Sequence, residues 1–163
     1  MQIMEFKFNE ENLERIKQEF KKYPVKKPVV MKALYIGQEQ NGYISNEVIK
    51  EVANLLDMPP EEVLGVVTFY TMYHQKPMGK YHIQVCTNVS CMLRGGYEIW
   101  DRVKEKLGIE NMEVTEDRIF SLEEVECMGS CGTAPMVAVN EDYYENLSKE
   151  KVEEILESLK HTN

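Results

Sequence analysis

The sequence predicts an α+β protein in two parts: a helical bundle over residues 1–79 and a small α/β domain over residues 80–163. Apolar residues first recur at three- and four-residue intervals, the period of a buried helix face. From Tyr81 onward, alternating segments run into cysteine-bearing loops and are separated by helical stretches, the order of a minimal sheet with helices packed on it. With 163 residues, the chain has room for one ordinary domain, or a small domain plus a helical extension.

The helices can be placed in order. Asn9 is a candidate N-cap, with Phe8 and Leu13 spaced as a hydrophobic staple, and Leu13, Ile16 and Phe20 then form a stripe that Pro24 stops. A second helix starts at Pro28, whose missing N–H costs nothing in a first turn, and runs to Gln40 before Asn41-Gly42. Ser45 caps a third with Val48, Ile49, Val52, Leu55 and Leu56 inward; Met58-Pro59-Pro60-Glu61-Glu62 opens a fourth, its acids facing the positive helix end. These last two mimic a helix-turn-helix, but the acidic chain favours a simple packed pair. The aromatic run Thr68-Phe69-Tyr70-Thr71-Met72-Tyr73 reads as core or as a partner surface.

The pattern changes near Pro77-Met78-Gly79-Lys80. Tyr81 to Val85 alternates as a strand that delivers Cys86. After Cys91 comes a helix with Leu93, Tyr97, Trp100, Val103 and Leu107 on one face, closed by Gly108. Ile119–Glu126 and Met136–Val139 read as strands, and Tyr143-Tyr144 as a short return strand. Ser148 caps a final helix with Val152, Ile155, Leu156 and Leu159 inward.

Hydrophobic residues make up 43% of the chain, enough for a packed core. The formal charge of −9 is uneven: residues 1–79 carry 10 basic against 11 acidic side chains, residues 80–163 carry 9 against 17. Nucleic acid is therefore a poor partner for the second half. The basic cluster from Arg15 to Lys32 reads as a solvated helix face. Met1 to Lys7 shows no basic segment leading into an apolar run, and no stretch is apolar enough to span a bilayer, so a soluble intracellular protein is expected.

The 4 cysteines fall as Cys86-x4-Cys91 and Cys127-x3-Cys131. In a reducing compartment such pairs point to metal ligation before disulfides. Spacing leaves an iron–sulfur cluster and structural zinc both open, while the missing Cys-x-x-Cys argues against dithiol exchange. Small residues in Cys127-Met128-Gly129-Ser130-Cys131-Gly132-Thr133-Ala134-Pro135 let the backbone approach inorganic sulfide. The amides of both loops, and the hydroxyls of Thr87, Ser90, Ser130 and Thr133, are candidate donors to sulfur, which would raise a cluster's potential.

The run Cys86-Thr87-Asn88-Val89-Ser90-Cys91, followed by Glu126-Cys127-Met128-Gly129-Ser130-Cys131-Gly132-Thr133-Ala134-Pro135-Met136, resembles the thioredoxin-like [2Fe-2S] ferredoxin family. Val67-Thr68-Phe69-Tyr70-Thr71 and the helical N-terminal half extend the resemblance to the 24-kDa (E) subunits of NADH:quinone oxidoreductase, respiratory complex I. The resemblance implies a thioredoxin-like domain with a mixed sheet, and one [2Fe-2S] cluster held by Cys86, Cys91, Cys127 and Cys131. It implies an electron carrier without a substrate site, beside a flavoprotein subunit that binds FMN and NADH and among other subunits of the NADH-oxidising module. The chain would then sit on the cytoplasmic side of a membrane complex, attached through those subunits and not inserted itself. The equivalent subunit of an NAD-linked hydrogenase or formate dehydrogenase fits the same pattern, and a zinc-stapled interaction module is the reading from another class. Pro135 matches a position where thioredoxin-like folds hold a cis proline.

No Gly-x-Gly-x-x-Gly or Walker-type loop is present, in keeping with dinucleotide binding elsewhere. His74, His82 and His161 lie outside both cysteine loops and read as packing or surface residues. Trp100 reads as core, and Met128 and Met136 as candidate shields between the cysteines and water. The acids Glu123, Glu124 and Glu126 read as a solvated strand edge whose field lowers a cluster's potential. Neutralising them should raise the midpoint, and an unchanged redox titration would refute that.

Overall fold

The protein, seen in a computed structural model, is described over residues 5–161. It divides between Pro77 and Met78 into two compact units.

The first unit holds four helices among the described residues: α1 (Glu10–Phe20), α2 (Val30–Asn41), α3 (Asn46–Leu56) and α4 (Pro60–Phe69). Their starts follow the capping chemistry of the sequence. Asn9 accepts from the amide of Asn12 at 2.8 Å, and Ser45 from that of Val48 at 3.3 Å. α1 ends at Phe20, short of Pro24, and Pro28 lies in a 3-10 turn (Lys27–Val29) that leads into α2 one residue beyond it. Gly42 ends α2 in the left-handed conformation, φ 84°. Ile16, Ala33, Leu34, Val48, Val52 and Val63 pack together with no exposed surface. Tyr73 is buried beside them and donates to the carbonyl of Met31 at 2.8 Å, whereas Phe69 stands 77% exposed. The aromatic run thus splits between core and surface.

The second unit is a four-stranded mixed sheet of β1 (Tyr81–Cys86), β2 (Phe120–Val125), β3 (Val137–Val139) and β4 (Asp142–Tyr144), in the order β2-β1-β3-β4. β1 and β2 run parallel, and the other pairings are antiparallel. A short helix α5 (Val89–Leu93) and the longer α6 (Gly96–Leu107) cross from β1 to β2, and α7 (Lys149–Lys160) follows β4. The period-two pattern sends Ile83, Val85, Leu122, Val137 and Val139 into one core with Ile99, Trp100 and Val103 of α6 and Val152 and Leu156 of α7. The Ala134–Pro135 bond is cis.

Two expectations need correction. Leu93 and Tyr97 do not share the buried face of α6; they are 77% and 46% exposed. The helix breaks at Arg94, and Gly95 turns with φ 91°, so a stripe counted through Leu93 loses its phase. Nor is Glu123 a solvated edge residue. On the sheet face away from α6 and α7 it accepts from Gln84 at 2.8 Å and meets His82 Nε2 at 2.9 Å, while His82 Nδ1 lies 2.8 Å from Ser121 Oγ. His82 is 5% exposed, a packing histidine with both ring nitrogens engaged.

Ser148 caps α7, accepting from the amide of Lys151 at 3.3 Å. Ser148→Ala should cost about 1 kcal/mol of stability by stranding that donor. Urea titration followed by the fluorescence of Trp100, the single tryptophan, reads this directly.

Candidate metal centre

Parallel pairing of β1 with β2 places their C-terminal ends side by side, with Cys86 opposite Val125. One loop leaves each end. The amide of Thr87 bonds the carbonyl of Val125 at 3.2 Å, and the thiol of Cys86 lies 3.6 Å from the carbonyl of Glu126, which it can reach as a donor. Cys127 follows at once. Cys91 lies inside α5 rather than before a long helix, and Cys131 opens a 3-10 turn (Cys131–Thr133) before β3.

The four thiols fall into two classes. Cys86 and Cys91 are buried, 3% and 2% exposed, and pack with Ala134 and Met136 while Val125 and Met128 lie against them. Cys127 and Cys131 are exposed. Burial, and then a hydrogen bond with the Cys86 thiol, push the Cys91 thiol up to about 11. In the metal-free chain Cys91 is therefore a protonated thiol, and a metal must displace its proton. The field of Cys131 also reaches it, so Cys86, Cys91 and Cys131 are electrostatic neighbours. The Cys127 sulfur accepts the amide of Gly129 at 3.4 Å across a turn that holds Gly129 at φ 81°.

Among the described residues, no three His, Cys, Asp or Glu side chains converge as ligands of a single ion. The donor set fits a [2Fe-2S] cluster: sulfur only, one pair buried and one pair at the surface, with a glycine amide already aimed at a thiol. Met136 is 1% exposed and Met128 is partly buried beside it, so both stand where the sequence suggested a shield.

Three of the four loop hydroxyls bond carboxylates. Thr87 Oγ1 donates to Glu124 at 2.7 Å, Thr133 Oγ1 donates to Glu145 at 2.6 Å, and Ser130 Oγ also bonds Glu145. Sequence reasoning also passed over the residues that hold the second loop from behind. Tyr143 donates to the carbonyl of Met128 at 3.1 Å, Asn146 N to that of Thr133 at 2.7 Å, and Arg94 reaches that of Gly132 at 3.3 Å. No local signal marks them, because each meets the loop only through the fold.

The profile of the family described as thioredoxin-like [2Fe-2S] ferredoxin matches residues 16–160. The E subunit of NADH-quinone oxidoreductase from Rickettsia bellii is 46% identical over 162 residues, covering 98% of this chain and 97% of the relative. The NADH-quinone oxidoreductase subunit 2 of Thermus thermophilus is 41% identical over 156 residues, covering 94% of this chain and 86% of the relative. Among solved structures, an NAD+-reducing [NiFe]-hydrogenase in the H2-reduced state is similar with a TM-score of 0.70 at 18% identity, over 80% of this chain and 22% of the hydrogenase chain, a likeness of fold. The cysteine loops, the mixed sheet and the match along most of its length place this chain in the thioredoxin-like [2Fe-2S] ferredoxin family.

Proposed function

We propose that the protein is the electron-transfer subunit of an NADH:quinone oxidoreductase, carrying one [2Fe-2S] cluster on Cys86, Cys91, Cys127 and Cys131. The observation that carries this is the meeting of the two cysteine loops at the adjoining ends of β1 and β2. The 46% and 41% identity to subunits of that complex, over nearly the whole chain, supports the assignment. It also favours this complex over an NAD-linked hydrogenase or formate dehydrogenase, since the hydrogenase likeness is one of fold.

When bound, the cluster accepts and returns single electrons. The chain's own residues hold it and set its surroundings. Cys86 and Cys91 supply ligands from the buried side, where Ala134 and Met136 exclude water. Cys127 and Cys131 supply them from the surface side, the one an electron partner can approach. The Gly129 amide steadies the Cys127 sulfur.

The partner is a flavoprotein subunit that binds NADH and FMN, with other subunits of the same module around it. Residues 1–79 serve docking, and residues 80–163 carry the cluster. Among the described residues no helix is long and apolar enough to cross a membrane; the subunit is held at the cytoplasmic face of the complex through its neighbours. Affinity isolation of the tagged chain from its own cells tests this. Flavin, NADH–ferricyanide activity and quinone-module subunits should be recovered with it. Recovery with a hydrogenase or formate dehydrogenase subunit instead would overturn the assignment.

A further inference from the structure

We infer that Arg94 is a positioning residue that ties the first cysteine loop to the second and sets a positive charge beside the centre, raising its reduction potential. The inference rests on the proposed [2Fe-2S] function and adds to it a residue that is not itself a ligand.

Arg94 is the C-cap of α5, the helix that carries Cys91. Its amide donates to the carbonyl of Cys91 at 3.1 Å, which fixes its backbone to the first loop. Its Nη1 donates to the carbonyl of Gly132 at 3.3 Å, and Gly132 directly follows Cys131. One residue thus joins a buried candidate ligand to an exposed one. Gly95, at φ 91°, turns the chain into α6 immediately afterwards. Arg102, Lys104, Lys106 and Lys149 of the same unit each pair with a glutamate. Arg94 instead gives its guanidinium to a neutral carbonyl, which leaves the charge intact one residue from Cys131.

The physical consequence has a sign. Reduction adds one negative charge to the centre, and a cation held nearby favours it. Residues 80–163 carry 9 basic against 17 acidic side chains, so the field that Arg94 offsets is negative. Arg94 is exposed, so water and salt screen the interaction and keep the effect to a few-fold one. The tie acts separately, by keeping the exposed loop against the buried pair. Glutamine at 94 removes the charge; lysine keeps a charge and a donor.

The test is the midpoint potential of the reconstituted full chain, by mediated titration with EPR detection, alongside iron and sulfide content and far-UV circular dichroism. Arg94→Gln should shift the one-electron equilibrium away from reduction by about twofold to tenfold, a fall of up to about 59 mV. Arg94→Lys should stay within about twofold of wild type, because the charge remains. The gap between wild type and Arg94→Gln should close as salt rises from about 0.01 M to about 1 M, where screening shortens from roughly 30 Å to 3 Å. Iron release to a chelator should quicken by about threefold to tenfold in Arg94→Gln, below the usual loss for a direct partner of a ligand. An unshifted midpoint in Arg94→Gln overturns the inference, as does a gap indifferent to salt or a lysine variant that falls as far as the glutamine one. A folded glutamine variant without iron, beside a lysine variant that loads normally, sustains it; two folded but empty variants overturn it. A wild-type chain that takes up no iron and sulfide overturns the proposed function instead, and this inference with it.

Discussion

Cys91→Ser is expected to lower iron retention by more than about tenfold, since loss of a ligand exceeds the roughly 10–100-fold in affinity that loss of a supporting partner costs. Cys91 is the sharpest place to cut. It is 2% exposed and packs with Cys86 and Met136. Serine keeps the side chain's shape closely enough for α5 to survive, so chemistry rather than packing is what changes. Its hydroxyl is a harder and far less acidic donor than a thiol. Cys86→Ser should behave alike, from the same buried pair. Iron assay after desalting against a chelator reads the loss, and far-UV circular dichroism checks that the fold persists. An unchanged visible spectrum in either variant would remove that cysteine from the site.

Gly79→Ala should cost about 3 kcal/mol, the upper end of the usual overpacking range. A Cβ at Gly79 would stand 2.4 Å from the carbonyl carbon of Phe120 and 2.7 Å from the amide nitrogen of Ser121. These are backbone atoms of β2, so no side chain can swing away. β2 would have to shift against β1, in whose register Phe120 faces Tyr81. The amide of Gly79 also donates to Ser121 Oγ at 3.1 Å, a bond the shift would stretch. The same substitution at Gly65 should do the opposite. Gly65 lies in the middle of α4, where a Cβ meets nothing within 4 Å, so alanine adds helix propensity without a clash and should stabilise by roughly 0.5–1 kcal/mol. Urea titration separates the pair, with Trp100 reporting on Gly79→Ala and circular dichroism on Gly65→Ala. Equal effects of the same sign would contradict the packing described for β2.

What could be read from the sequence depended on how local the physics was. Asn9, Ser45 and Ser148 act within one helical turn, and their capping roles were legible because nothing distant competes with them. The strands were legible too, since Ile83, Val85, Val137 and Val139 alternate against one core. Leu93 and Tyr97 were misplaced because a stripe in sequence assumes an unbroken helix, and Gly95 breaks it. Glu123 was misread because a charged residue in a strand looks solvated until His82 and Gln84 are seen across the β1–β2 pairing. The loop hydroxyls were assigned to sulfur because sequence shows which donors are near, not which acceptors compete with sulfur for them. Glu145 lies 14 residues beyond Cys131, and only the β3–β4 return brings it to the loop. The cysteine spacing identified the candidate ligands; parallel pairing of two strands distant in sequence supplied the reason their loops leave side by side.

The central claim is that the two loops together hold one [2Fe-2S] cluster. It is tested most directly by iron, zinc and acid-labile sulfide per chain in anaerobically purified protein, with EPR of the dithionite-reduced sample. About two irons and two sulfides per chain, with a spin-one-half signal on reduction, is the predicted result. One zinc per chain, no labile sulfide and no cluster after anaerobic reconstitution would contradict it and leave a structural metal site in its place.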